Sequence, residues 1–225
     1  MLGRALVVVP LLASTASADT RWSITFPPEW RDNTAEVNAS PPVQGLIERI
    51  ERAGAKMTIT SRESATGEIA LVAFTTRPGG SWADLREAED GARRGANAGK
   101  PELAYRRSDG PRVAQIEQEV QYPEMVKHVR LLTGRTPSGE VRMANAECFG
   151  EASVCSPILA SLRLDDRELA DRPQQGTPAA TARPRDARSS AERGGEIGAA
   201  IGGLVGGVLL VWLLIRVRRQ RRVAP

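Results

Sequence analysis

The sequence predicts an α+β domain, an antiparallel sheet flanked by helices, followed by one C-terminal transmembrane helix. Three observations carry this expectation. Residues 21–164 alternate between strand-like and helix-like apolar patterns, and their second half reads as an antiparallel meander. Residues 197–215 form a 19-residue run without a charge, close to the roughly 20 residues that a membrane-spanning helix needs. A shorter apolar stretch, residues 5–13, lies between Arg4 and a set of small residues ending Ala16-Ser17-Ala18.

The front stretch is too short to span a bilayer, and its order of charge, apolar core and A-x-A end is that of a secretory leader. Cleavage after Ala18 would leave Asp19 as the first residue. The alternative is a buried N-terminal strand. At the other end, Trp212 sits where an indole reaches the membrane interface, and Arg216, Arg218, Arg219, Arg221 and Arg222 follow at once. Basic residues mark the cytoplasmic flank of a membrane helix. The expected protein is therefore a single-pass inner-membrane protein, with its N-terminal domain extracytoplasmic or periplasmic and its C-terminus cytoplasmic. From just before the span into it, Gly194, Gly198, Gly202 and Gly206 form one four-residue stripe, and Gly195, Ala199, Gly203 and Gly207 form a second. Such stripes let helices approach closely in lipid, so a membrane-helix partner or a homo-oligomer is expected beside the bilayer itself.

A formal net charge of +4 suggests a nucleic-acid binder, but its distribution argues against one. Arg4 and the five tail arginines lie outside residues 19–196, which hold 25 basic against 27 acidic residues. A nucleic-acid interface needs its basic footprint on the folded domain. Residues 165–196 contain Pro173, Pro178 and Pro184 among small and polar residues, a composition that reads as a disordered linker. The division is thus 1–18 leader, 19–164 exported domain, 165–196 linker, 197–215 membrane helix and 216–225 basic tail.

Residues 21–26 alternate and read as a first strand, ended by Pro27-Pro28. Val43, Leu46, Ile47, Ile50 and Ala53 recur at helical spacing, with Gly54 placed to stop the helix. Residues 56–60 and 68–76 read as strands around a Ser-Ala-Thr-Gly turn. In the second, Ile69 and Leu71 face one way and Val72 and Phe74 the other, as in a central strand. Ser81 with Asp84 forms a capping-box pattern ahead of a helix with Trp82, Leu85, Ala88 and Ala92 as its buried stripe. The helix ends in the 95–99 region. Strands follow at 103–107, 112–122, 125–132 and 140–148, separated by Gly- and Pro-containing turns. Setting Leu131 opposite both Ile116 and Val141, and Val129 opposite Met143, collects apolar residues on one face. That register lines up Glu117, Arg130 and Arg142 on the other face, with Glu119 opposite His128. Ser156-Pro157 opens a last short helix.

Trp22-Ser23-Ile24-Thr25-Phe26-Pro27-Pro28-Glu29-Trp30 resembles the opening strand and FP-x-x-W turn of the PsbP/Mog1-like family. The ending Cys155-Ser156-Pro157-Ile158-Leu159-Ala160-Ser161-Leu162-Arg163-Leu164 is similar to that family's final helix. The resemblance implies a binding or scaffolding module with an antiparallel sheet flanked by helices. No functional residue carries over with it.

Few residues offer chemistry. Cys148 and Cys155 are the only cysteines, and an oxidising compartment favours a disulfide between them over two free thiols. Two cysteines do not complete a zinc site, and no second histidine is present to help. No cofactor is expected. His128 is the only histidine, so any triad chemistry would have to use it. Residues 95–101 superficially resemble a phosphate loop, but the spacing is one residue short and Pro101 stands where Ser or Thr should be. His128, Arg130 and Arg142 form a candidate anion patch, but the Glu117–Arg130–Arg142 row reads first as a solvated charge ladder in which Glu117 relieves the Arg–Arg juxtaposition. Asn38-Ala39-Ser40 matches a glycosylation sequon, which matters only on a eukaryotic secretory route. The expected function is that of a non-catalytic, membrane-tethered binding or interaction module. Its alternatives are a periplasmic hydrolase using His128 and a membrane-complex subunit assembled through the glycine-striped helix.

Overall fold

In the computed structural model, residues 14–15, 21–97 and 99–173 are described. Strands β1 (Ser14–Thr15), β2 (Trp22–Ser23), β3 (Thr25–Phe26) and β4 (Arg31–Asp32) precede helices α1 (Thr34–Asn38) and α2 (Pro41–Arg52). Then come β5 (Lys56–Glu63), β6 (Ile69–Arg77), α3 (Trp82–Asn97), β7 (Glu102–Asp109), β8 (Ala114–Gln121), β9 (Val126–Arg135) and β10 (Val141–Phe149). Helix α4 (Ala152–Ala160) and β11 (Arg163–Leu164) follow. The result is the α+β architecture expected, a seven-stranded antiparallel sheet in the order β4-β5-β6-β10-β9-β8-β7 with helices against it.

The sheet is covered on both faces, which is why β6 and β10 are buried along their full length. Strand side chains alternate between faces. Ile69, Leu71, Val141 and Met143 pack with Val43, Leu46 and Ile50 of α2 and with Leu85, Ala88 and Ala92 of α3. Ala70, Val72, Phe74, Ala144 and Ala146 pack with Trp22, Phe26 and Trp30 and with Ile158 and Leu159 of α4. The small β10 residues leave room for the aromatics, and Trp22 stacks on Phe74 with centroids 6.0 Å apart. Helix starts follow local chemistry. Pro41 opens α2 at a position where its missing N–H costs nothing. At α3 the Ser81 amide donates to Asp84 at 2.7 Å and the Asp84 amide to the Ser81 hydroxyl at 3.1 Å, the reciprocal capping box the sequence predicts.

Several expectations are corrected. The first strand is broken in two. β2 pairs with β11 and β3 with β1, outside the large sheet. The β1 pairing lies within the predicted leader and is two residues long, so cleavage after Ala18 would leave every ladder of the seven-stranded sheet intact. α1 and β4 have no counterpart in the sequence reading. Helix α4 starts at Ala152, so Pro157 lies inside it rather than at its start. The first turn is held instead by the amides of Val154 and Cys155 on the Glu151 carbonyl. Gly95 is helical, because α3 continues to Asn97, and the phosphate-loop pattern is not a loop there.

The β9–β10 register also differs. β9 extends to Arg135, and Val141 faces Arg135 rather than Leu131. Leu131 faces Asn145, and Val129 faces Glu147 rather than Met143. The turn sets this pairing. The Thr136 amide donates to the Glu140 carbonyl at 2.8 Å and the Glu140 amide to the Thr136 hydroxyl at 2.9 Å, which closes the hairpin directly at residues 135 and 141. The slip is an even number of residues, so each side chain keeps its face although its partner changes.

Residues 165–173, assigned by composition to the linker, belong to the folded domain. Leu169 is buried, and the amides of Ala170 and Arg172 donate to the carbonyls of Arg135 and Pro111, each at 2.7 Å. Among the described residues no helix is long and apolar enough to cross a membrane. Residues 197–215, both glycine stripes and the five tail arginines lie outside the described residues.

Candidate binding cleft

At one end of the sheet, three connections that are distant in sequence surround a cleft of about 660 Å³. Its walls are the β5–β6 turn with Thr66 and Glu68, the β8–β9 turn with Pro123, Glu124 and Met125, and the Gly150–Ala152 segment entering α4. Glu119, Gln121 and His128 line it from β8 and β9, Phe149 from the end of β10 and Leu103 from the edge strand β7. Four lining residues are glutamates, none is lysine or arginine, and Leu103, Met125 and Val126 supply apolar surface. Leu103 is 53% exposed, one of two large hydrophobic residues that are exposed among the described residues.

The β5–β6 turn is built by its own hydroxyls. Ser64 accepts the amides of Gly67 and Glu68 at 3.0 and 2.9 Å, and the hydroxyls of Ser64 and Thr66 donate to the Glu68 carboxylate. Those two hydroxyls hold the Glu68 carboxyl below the usual carboxylate range, so it is ionised near neutrality. Gly150 allows the close approach on the opposite wall. A Cβ there would lie 2.4 Å from Glu68 Cγ, and its φ of 146° disfavours other residues.

His128 faces Glu119 across the β8–β9 ladder, as the sequence register predicts. Its Nδ1 lies 3.2 Å from Glu119 Oε1, and its buried Nε2 has no hydrogen-bond partner. A base-activated serine, threonine or cysteine nucleophile must lie within hydrogen-bond reach of the base. Both cysteines are in the disulfide, and no serine or threonine among the described residues hydrogen-bonds the ring. No three His, Cys, Asp or Glu residues among those described are grouped to hold a metal ion.

The candidate anion patch is not assembled as expected. Arg130 does face Glu117, at 3.3 Å, and donates to Gln115 at 2.9 Å. Burial lowers its pKa against the opposing effect of Glu117, and nearby Arg163 lowers it further. Arg142 stands opposite Gly134, displaced along the sheet from Arg130, and is held by Glu140 and Glu168 at 2.7 Å each. His128, Arg130 and Arg142 therefore each face a carboxylate of their own. The sequon asparagine is also engaged, since Asn38 Nδ2 donates to the Ile59 carbonyl at 3.3 Å.

Cys148 and Cys155 are disulfide-bonded, as the sequence predicts, with Cα atoms 5.5 Å apart. The bond ties the end of β10 to the start of α4, next to the cleft wall. Closing so short a loop stabilises by about 2–3 kcal/mol in the chain-entropy view. Reduction of the folded domain is accordingly expected to lower its melting temperature by several degrees. Paired thermal scans with and without reductant test this, and superimposable scans on protein confirmed to be reduced would contradict it.

Beneath the opposite face lies a polar cluster that sequence reading missed. Lys127 is fully buried, and its Nζ donates to the Ala96 carbonyl in the last turn of α3 at 2.6 Å. It lies 3.9 Å from Glu147 Oε2, which Asn145 supports by donating to Oε1 at 3.0 Å. Burial pushes the Glu147 carboxyl up and the Lys127 ammonium down. A signal was present in the sequence, since Lys127 alternates in phase with Val129 and Leu131 on the core face.

Neither a protein-family model nor a curated protein matches this chain significantly.

Proposed function

We propose that this chain is a membrane-anchored, extracytoplasmic binding module without catalytic activity, whose partner enters the cleft between the β5–β6 turn, the β8–β9 turn and α4. The observation that carries this reading is the cleft itself. Its 660 Å³ lies within the range of binding pockets, and its lining combines four glutamates with Leu103, Met125 and Val126. The partner is cationic and partly apolar, because such a lining attracts positive charge and gains from covering exposed hydrocarbon. The leader pattern, the apolar run at 197–215 and the likeness of residues 22–30 and 155–164 to the PsbP/Mog1-like family support a displayed binding or scaffolding role. The glycine stripes support association through the membrane helix in addition.

A short peptide alternating lysine and leucine is a suitable probe, titrated into the detergent-solubilised full chain. Binding is expected to weaken at least about tenfold in an E119Q/E124Q/E151Q variant and to fall with salt, as attraction between exposed charges does. Equal affinity of wild type and variant, or equal binding of a serine–leucine control peptide, would overturn the assignment.

A further inference from the structure

After β11 the chain does not leave the domain. Residues 165–172 run back along it as a strap, fixed at successive points. The Asp165 amide donates to the Arg21 carbonyl at 2.8 Å. Leu169 is seated on Gly134, where a Cβ would lie 2.5 Å from Leu169 Cδ1, so a larger residue on β9 there would displace the leucine side chain. Glu168 holds Arg142 at 2.7 Å and Asp171 holds Arg112 at 2.9 Å. The Arg172 guanidinium lies 5.4 Å from the Trp82 ring centroid, 3.6 Å from the buried Glu89 and 3.5 Å from Asp109.

The strap sets where residue 173 departs. Arg172 is bonded to Pro111, beside the last residue of β7 and the first of β8, and Ala170 to Arg135, the last residue of β9. The cleft is bounded by the opposite ends of these same strands, at Gln121, Val126 and Leu103. β9 has 10 residues, and at about 3.3 Å per residue its two ends are roughly 30 Å apart. We infer that the strap is an orienting root. It makes the chain leave the domain at the end remote from the cleft, and so biases the tethered domain toward presenting the cleft to a cationic partner on the side away from the membrane that anchors this chain, rather than to that membrane's headgroups. The inference rests on the anchored-module reading above. Without the strap, eight further residues would separate domain and membrane, up to roughly 27 Å of extended chain. The departure point would then be Leu164 in β11, whose neighbour Arg163 acts on Arg130 at the middle of β9, nearer the cleft.

The test uses the full chain in phosphatidylcholine vesicles containing an acceptor-labelled lipid. A donor dye is placed on Ala65→Cys, in the exposed turn at the cleft end, or on Ser138→Cys, in the exposed turn at the root end, with the native disulfide intact. Energy transfer to the bilayer is expected to be roughly twofold or more stronger from position 138, given the separation of the strand ends. Releasing the strap with Leu169→Ser and Arg172→Ala together should remove most of that difference. Asp171→Ala, a milder change at an exposed residue, should reduce it while the circular dichroism spectrum stays unchanged. Equal transfer from both positions, or stronger transfer from 65, overturns the inference. If the peptide titration succeeds while transfer is equal, only the orientation fails. If transfer differs while the peptide binds wild type and the glutamine variant alike, only the cleft assignment fails. A chain that washes off the vesicles overturns the orientation and the membrane anchoring together, and leaves the cleft assignment to the peptide titration.

Discussion

Replacing Lys127 with alanine is expected to destabilise the domain by about 3–5 kcal/mol, because it leaves a buried carboxylate without its countercharge. The lysine also supplies the donor for the Ala96 carbonyl near the C-terminus of α3, where a positive charge is favoured by the helix dipole. Its removal therefore loosens that helix end as well. Urea unfolding monitored by tryptophan fluorescence measures the loss, and a change below about 1 kcal/mol, the range of an ordinary surface substitution, would show that the pair carries no such burden. Glu147→Gln separates the charge effect from the shape effect. Burial raises the Glu147 pKa above its ordinary 4.5. The folded state therefore holds the proton more tightly than the unfolded chain. This group's contribution to stability falls as pH rises from 4.5 toward the raised folded value, and the penalty is complete above it. Glutamine has no proton to lose, so the variant is expected to lack that decline. An identical pH profile for variant and wild type would locate the pH dependence elsewhere.

Glu89→Ala is expected to cost a similar 3–5 kcal/mol, through a different set of elements. Glu89 is fully buried on α3 and meets Arg107 of β7 at 2.7 Å, Arg172 of the strap at 3.6 Å and the Thr133 hydroxyl of β9. One carboxylate thus joins a helix, two strands and the strap. Asp109 accepts from Arg107 at 3.0 Å, and with Glu89 it keeps that guanidinium's pKa raised. Deleting Glu89 leaves two largely buried guanidinium groups sharing the more exposed Asp109. The expected signature is a loss of stability together with faster proteolysis at residues 165–173, because Arg172 loses its buried partner. Limited proteolysis and urea unfolding read the two consequences separately. A variant as stable and as protease-resistant as wild type would show that the network is dispensable.

These two clusters show how far the sequence can be read. Apolar alternation identified β5 through β10, since Ile69, Leu71, Val72 and Phe74 can sit correctly only in a strand buried on both faces. The pairings of Glu117 with Arg130 and of Glu119 with His128 followed from matching apolar residues across β8 and β9. The same matching failed at β9–β10. It brought Leu131 to Val141 because apolar residues were assumed to face one another, whereas the core tolerates Asn145 and Glu147 once Lys127 and the end of α3 lie nearby. Of the cleft, only Glu119 and His128 were legible. Glu68, Glu124 and Glu151 come from three separate connections, and no spacing in the chain records that these converge. The strap was missed because residues 165–173 resemble a linker in composition. Its fixation depends on Leu169, on backbone bonds and on arginines whose partners lie far away in sequence.

By itself the sequence determined the α+β class, the helix start at Ser81, the helix stop at Gly54, the pairing of the two cysteines and the expectation of a leader and a membrane anchor. Each follows from short-range periodicity, local capping or unbroken apolar length, which a chain carries without knowing its fold. The tertiary structure alone decided which buried charges meet, where the cleft forms and where the chain leaves the domain. Those depend on hairpin closure and on contacts between residues tens of positions apart, and their energies come from desolvation and pairing that exist only once the sheet is assembled.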